Sequence, residues 1–296
     1  NEFDTEVSGE GFKIIFDHET GQLSQYVRSG VPLLTNSIKP NFWRAPNDND
    51  LGNGMPARTK IWKEAHERFS SISIKTKLVN NTAEIKFVSI DSLSNSLLTS
   101  QYFIYGNGAV KINQMLTVED STISEIPRFG IKISMSGEFD QVSWYGRGPH
   151  ESYWDRKTSA AIGHYSGSVW EQSFPYVRPQ ETGNKTDIFW MAVSNGSYGL
   201  MAKGFPTFDG SVHQYPYEDL DHIAGSQRHG LLDINQKDHL DWLIDYKQMG
   251  VGGDNSWGAR PHKKYTIFPG KHKLSIMLIP FDNQNNLSQL SKLKFQ

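Results

Sequence analysis

Apolar and polar positions alternate with a period of two along most of this chain. Ile72-Ser-Ile-Lys75, Ala83-Glu-Ile-Lys-Phe87, Lys111-Ile-Asn-Gln-Met-Leu-Thr-Val118 and Ile131-Lys-Ile-Ser-Met135 each place their apolar side chains mostly on one face. Successive side chains of a strand point to opposite faces, so the pattern predicts half-buried β-strands. Further strand-like runs lie near Phe12–Phe16, Gln101–Tyr105, Val142–Tyr145, Ile188–Val193, Gly199–Lys203, Leu240–Tyr246 and Leu274–Ile279. Turn formers stand between them: His18-Glu-Thr-Gly21, Asn80-Asn81, Gly106-Asn-Gly108 and Asn195-Gly-Ser-Tyr-Gly199. Asn and Gly reach the positive φ that tight hairpins need.

Only Ala57–Phe69, rich in helix formers, and Leu287–Leu293 read as helical. Strands do not alternate with long helices, which argues against a βαβ fold. No internal repeat or linker divides the chain. The expectation is an all-β fold, one large antiparallel sandwich over residues 1–296 with one or two short helices. The stretch from Trp144 to Glu181, dense in Gly, Pro, aromatic and charged residues, reads instead as long irregular loops. Such loops are often surface-presented working parts, and an ordered packed loop weighs evenly against that for each residue.

Composition narrows the function. Hydrophobic residues make up 37% and charged residues 21%, ordinary for a globular protein. With 8 Trp, 12 Tyr and 16 Phe, rings are plentiful, which suits strands first and stacking on pyranose faces second. A net charge of −2 without a basic block gives no nucleic-acid footprint. The absence of cysteine excludes disulfides, thiolate nucleophiles and Cys-based metal sites. No apolar run reaches membrane-spanning length, and no membrane partner is expected. The opening Asn1-Glu-Phe-Asp4 has neither Met nor a signal-like stretch, which points to a fragment or processed chain. The compartment stays open, with the cytoplasm ranked ahead of the periplasm.

Few residues carry chemistry on their own. Gly146-Arg-Gly148 opens like a dinucleotide fingerprint, but Pro149 follows and no helix pattern succeeds it. The 10 histidines lack metal-ligand spacing; His213, His222 and His229 read as surface or hydrogen-bonded residues. Glycosidases need two carboxylates a fixed distance apart. Glu151 with Asp155, or Glu181 with Asp187, could be paired on paper, and nothing marks either as a dyad. Asp48, Asn49 and Asp50 read as turn holders before sugar ligands. Met249-Gly-Val-Gly-Gly-Asp-Asn-Ser-Trp257 packs three glycines into five residues, so the backbone can make a tight excursion braced by Asp254 and Asn255. Trp257 at its end is either displayed or plugs the sandwich.

Four segments occur in order: Trp43-Arg-Ala-Pro-Asn-Asp-Asn-Asp50, Trp144-Tyr-Gly-Arg-Gly-Pro-His-Glu-Ser-Tyr153, Pro175-Tyr-Val-Arg-Pro-Gln-Glu181 and Met249–Trp257. Together they resemble the final domain, or separate small chain, of bacterial β-galactosidases of glycoside hydrolase family 2, across essentially the whole chain. The resemblance implies a super-sandwich similar to galactose mutarotase, within a retaining glycosidase acting on terminal β-D-galactosides such as lactose. It places the two catalytic glutamates and the magnesium and sodium sites on an upstream barrel or large subunit, with no catalytic residue, metal ligand or cofactor here. It assigns Trp257 to the active-site rim as a sugar-stacking residue supported by Asp254 and Asn255, and gives the other three motifs no settled role. Alternatives are a free-standing mutarotase or epimerase using His150, His213 or His229, or a stand-alone carbohydrate-binding module.

Overall fold

The computed structural model describes residues 3–221, 234–255 and 258–293. The expected strands form, in two sheets. A small antiparallel sheet runs β1 (Asp4–Gly9), β2 (Phe12–Asp17), β3 (Leu23–Arg28), β4 (Val31–Pro32). The large sheet follows the path β12 (Ala161–Ser168), β11 (Gln141–Gly148), β13 (Lys185–Ser194), β14 (Tyr198–His213), β16 (Lys271–Asp282), β9 (Val110–Thr117), β8 (Ser96–Ile104), β7 (Thr82–Asp91), β6 (Phe69–Val79). Off this path, β15 (Leu240–Gln248) pairs with β14, then with β10 (Arg128–Met135), which pairs with β5 (Lys39–Asn41). All these pairings are antiparallel.

Burial follows the pattern of the sequence in β7 and β8 but not in β6, where Ile72 and Ile74 are exposed. β8 alternates strictly between buried and half-buried positions, and β7 does so over most of its length. The small sheet covers their inner face, with Phe16 against Tyr102 at 4.8 Å and Phe87 at 6.4 Å. Tight hairpins sit at the expected Asn80-Asn81, both at positive φ, and near Gly108. A Cβ on Gly108 would meet the Phe12 ring at 3.1 Å, so this turn also needs glycine for packing.

Two regions differ from the sequence reading. The helical stretch over Ala57–Phe69 breaks into α2 (Met55–Arg58), a 3-10 turn at Lys60–Trp62 and α3 (Ala65–Arg68), and Phe69 already opens β6. The pieces bend to bury Trp62 and Ala65 completely rather than present one straight face. The stretch from Trp144 to Glu181 is not irregular throughout, since it holds the second half of β11 and all of β12. β12 is an edge strand with no fully buried residue, so burial imposed no apolar period on Ala161-Ile-Gly-His-Tyr-Ser-Gly-Ser168.

Candidate functional site

The four motifs converge in space. After β5, Arg44 turns inward and is fully buried. Its guanidinium grips Asp50 through two nitrogens, Nε to Oδ2 at 3.1 Å and Nη2 to Oδ1 at 2.7 Å. Asn47 and Asp50 form a capping box at the head of the short α1 (Asp48–Gly52), which fixes the Asp50 carboxylate for the arginine. Burial works against the Arg44 charge, but Asp50, with Glu181 and Asp155, outweighs it and holds the guanidinium above its ordinary pKa. Arg44 also donates to the carbonyls of Met249 and, at 2.9 Å, Gly250. The first motif therefore anchors the fourth.

The glycine-rich loop is held from the other side as well. Asn47 and Asn49 donate to Val251 O at 3.3 and 3.0 Å. Asp155, just past the second motif, accepts from Val251 N at 3.1 Å and Gly252 N at 2.8 Å. This close approach explains the glycine at 250, where a Cβ would lie 2.5 Å from Asp155 Oδ2. Gly253 is pressed on Ala259 O, which its Cβ would meet at 2.5 Å. Asp254 is bonded to His262 Nε2 at 2.7 Å, and Asn255 accepts from Ala259 N at 3.3 Å. Trp257 lies outside the described residues, as do His222 and His229.

The third motif ends on Glu181, which is buried beneath this loop system. Its carboxylate accepts from Arg128 at 2.9 Å, Gln248 at 3.1 Å and the Tyr217 hydroxyl, and its backbone N–H donates to Ala45 O. Glu151 of the second motif accepts from Arg156 at 2.6 Å, Gly183 N at 2.9 Å and the Tyr176 hydroxyl. Asp187 instead pairs with Arg147 and Lys157, so the sequence pairs Glu151/Asp155 and Glu181/Asp187 resolve into carboxylates with separate tasks. Asp48 stays exposed near Arg178, Asp50 holds its turn with Asn47, and Asn49 reaches the loop. Between the motifs opens a cleft of about 140 Å³ lined by Asn47, Asn49, Tyr153, Arg156, Tyr176 and Val251 among others. Its walls offer amides, hydroxyls and ring edges, the groups that hold hydroxylated ligands.

His213 is buried, bonded to Ser211, Ser173 and Tyr215, and pushed down to about 3 by burial and by the nearby Arg128. His150 is exposed beside Ser159. No group of three or more His, Cys, Asp or Glu among the described residues could hold a metal ion.

Behind Glu181, Asp245 sits 3.1 Å from Arg128 and pairs across the strands with Asp209. Burial raises Asp245 far above the carboxylate range despite Arg128, and pushes Asp209 up to about 6 despite Lys247. The folded chain then keeps a proton on Asp209 between about pH 4 and 6 that the unfolded chain has released. Stability from this group is complete below about pH 4 and falls as pH rises to 6, by roughly 2–3 kcal/mol. Asp209→Asn keeps an oxygen for Asp187 N and removes the ionisation. Urea unfolding should find the variant gaining that amount on the native protein between pH 4 and 7; parallel profiles would count against this.

Sequence reasoning missed Arg128, Tyr217 and Gln248, and named Asp155 only as an unmarked carboxylate beside Glu151. Asp155 and Gln248 flank motifs directly, which was a usable signal. Arg128 and Tyr217 stand outside every motif, and nothing local marks them.

Comparison with known proteins agrees with this architecture. Among solved structures, the chain is similar to a galactose mutarotase related enzyme from Lactobacillus acidophilus, at 8% identity and a TM-score of 0.50 over 95% of this chain and 98% of that one. It is also similar to a TPR-domain containing protein from Parabacteroides distasonis, at 9% identity and a TM-score of 0.54 over 98% of this chain and 48% of that one. These likenesses define the class as an all-β, mutarotase-like sandwich. Residues 8–278 match the model of the β-galactosidase small chain, and the protein belongs to that family. A β-galactosidase of Priestia megaterium is 40% identical over 277 residues, 92% of this chain and 26% of that protein. One from Pseudoalteromonas haloplanktis is 28% identical over 94% of this chain and 27% of that protein. The chain thus spans about a quarter of the length of these curated relatives.

Proposed function

We propose that this chain is the non-catalytic C-terminal domain or small subunit of a retaining β-galactosidase that hydrolyses terminal β-D-galactosides such as lactose. Its partner is a catalytic barrel carrying the two glutamates together with magnesium and sodium, and its own contribution is positional. Trp257 completes the rim of the sugar site and stacks on the galactoside, with Asp254 and Asn255 supporting the loop. The observation that carries this reading is the convergence of Arg44, Asn47, Asn49 and Asp155 on Met249–Gly252. So many partners fix the stem of one loop far more firmly than a mere connection between strands requires.

Stacking of a ring on a sugar is worth on the order of 1 kcal/mol beyond area burial. Trp257→Leu in the assembled enzyme should therefore weaken galactoside binding about fivefold, while Trp257→Phe keeps most of it. The chain purified alone should not hydrolyse a chromogenic galactoside. Turnover by the lone chain at the rate of the assembled enzyme would overturn the reading, as would a Trp257→Leu enzyme with unchanged KM.

A further inference from the structure

The outer face of the large sheet carries a charge bias that the chain as a whole does not. Across β6, β7, β8, β9 and β16 the registers align Lys75 with Lys86, then Gln101, Asn113 and Ser275. Strand alternation puts Lys77, Glu84, Lys111 and Lys273 on the same face. Lys77 pairs with Glu84 at 2.9 Å, and Glu84 is the only carboxylate that these strands place there. Lys75, Lys86, Lys111 and Lys273 form no ion pair among the described residues. The whole chain, by contrast, has a net charge of −2.

Lys75 and Lys86 stand directly opposite each other across an antiparallel pair, where like charges destabilise the sheet. Both are exposed and, with Gln101, border an open depression of about 460 Å³. Lysine on an edge strand is a common guard against edge-to-edge pairing. That accounts for Lys75 on β6 but not for Lys86, Lys111 and Lys273, which lie on interior strands. Nor is the edge well guarded, since Ile72 is 59% and Leu78 74% exposed along β6. Cations beside exposed aliphatic side chains fit a protein surface that offers both carboxylates and apolar groups. A polyphosphate would leave the aliphatics uncovered.

We propose that this face docks a carboxylate-bearing surface of the polypeptide that completes the enzyme. Carboxylates there take Lys75 and Lys86 and relieve their repulsion, while apolar groups cover Ile72 and Leu78 at the β6 edge. The curated relatives hold far more chain than this domain, which spans about a quarter of their length. A second copy docked through the same face does not fit, because a two-fold contact sets lysines against lysines. The inference rests on the reading that a catalytic part accompanies this chain. It is independent of Trp257, whose loop follows β15, off the path that joins β6 to β16.

The test is carbodiimide cross-linking of the assembled enzyme, which joins a lysine to a carboxylate in direct contact and is read by mass spectrometry. The Lys77–Glu84 pair is the internal standard. Lys75 and Lys86 should link to Asp or Glu of the catalytic part. Links confined to carboxylates of this domain, or none while the standard forms, would overturn the proposal. Replacing both residues, Lys75→Gln with Lys86→Gln, gives a second reading whose sign decides. On a solvated face, relieving two opposed lysines leaves thermal inactivation unchanged or slows it. On a docked face it speeds inactivation several-fold, and high salt narrows the difference by screening the native contact. An unchanged or slower rate therefore sinks the inference. If that enzyme still hydrolyses a galactoside, the reading of Trp257 stands; an active assembly without any catalytic part would instead sink that reading first.

Discussion

Arg128→Met should lower the free energy of unfolding by about 3–5 kcal/mol, the usual cost of removing one partner from a buried ion pair. The side chain is fully buried, donates to Glu181 at 2.9 Å and lies 3.1 Å from Asp245. Its guanidinium also sits 5.1 Å from the centre of the Tyr217 ring. Methionine fills much of the volume but leaves the Glu181 carboxylate in a low-dielectric interior with no cation beside it. The damage should therefore be electrostatic rather than steric. Adding Glu181→Gln to Arg128→Met should recover part of the loss, because it deletes the stranded charge and keeps an acceptor for Gln248 and the Tyr217 hydroxyl. Urea unfolding of the single and double variants measures both effects. A single-variant loss under about 1 kcal/mol would show that the pair is not an anchor, and a double variant worse than the single would show that packing dominates.

The same residues show why the sequence was readable in some places and opaque in others. Strands such as β7 and β8 face solvent on one side, so selection for burial leaves a period of two that can be seen directly. β10 and β15 are buried on nearly every residue, and their pattern of apolar and charged positions encodes contacts with other strands instead. Arg128, Asp241 and Asp245 look there like ordinary surface charges until the fold encloses them. The helical stretch over Ala57–Phe69 had the right composition, but tertiary packing of Trp62 and Ala65 overrode a continuous helix.

The site was legible as four motifs and illegible as one object. Nothing in the spacing of Arg44 and Gly250 states that one would hold the other across 206 positions of chain. The glycine-rich loop announced a tight excursion, and the structure supplied its reason in the carboxylate of Asp155. Asp50, read as a turn holder, both holds its turn and serves as the counter-ion of a buried arginine.

That arginine gives the second large expectation. Arg44→Met should cost about 3–5 kcal/mol of stability, since it leaves Asp50 buried with its cation gone. It should also release the loop stem, because the carbonyls of Met249 and Gly250 lose a side chain that reaches both. Arg44→Lys separates these two consequences. Lysine keeps a positive charge near Asp50 but is a point donor, unable to bridge a carboxylate and two carbonyls in fixed directions. It should recover more of the stability than of the loop positioning. In the assembled enzyme, Arg44→Lys is therefore expected to unfold within about 2 kcal/mol of native while its KM for a galactoside rises several-fold with kcat less affected. Thermal unfolding and steady-state kinetics on the same preparations decide the matter. If the lysine variant loses stability and leaves KM untouched, Arg44 supports the fold alone and the loop is positioned by Asp155 and the two asparagines.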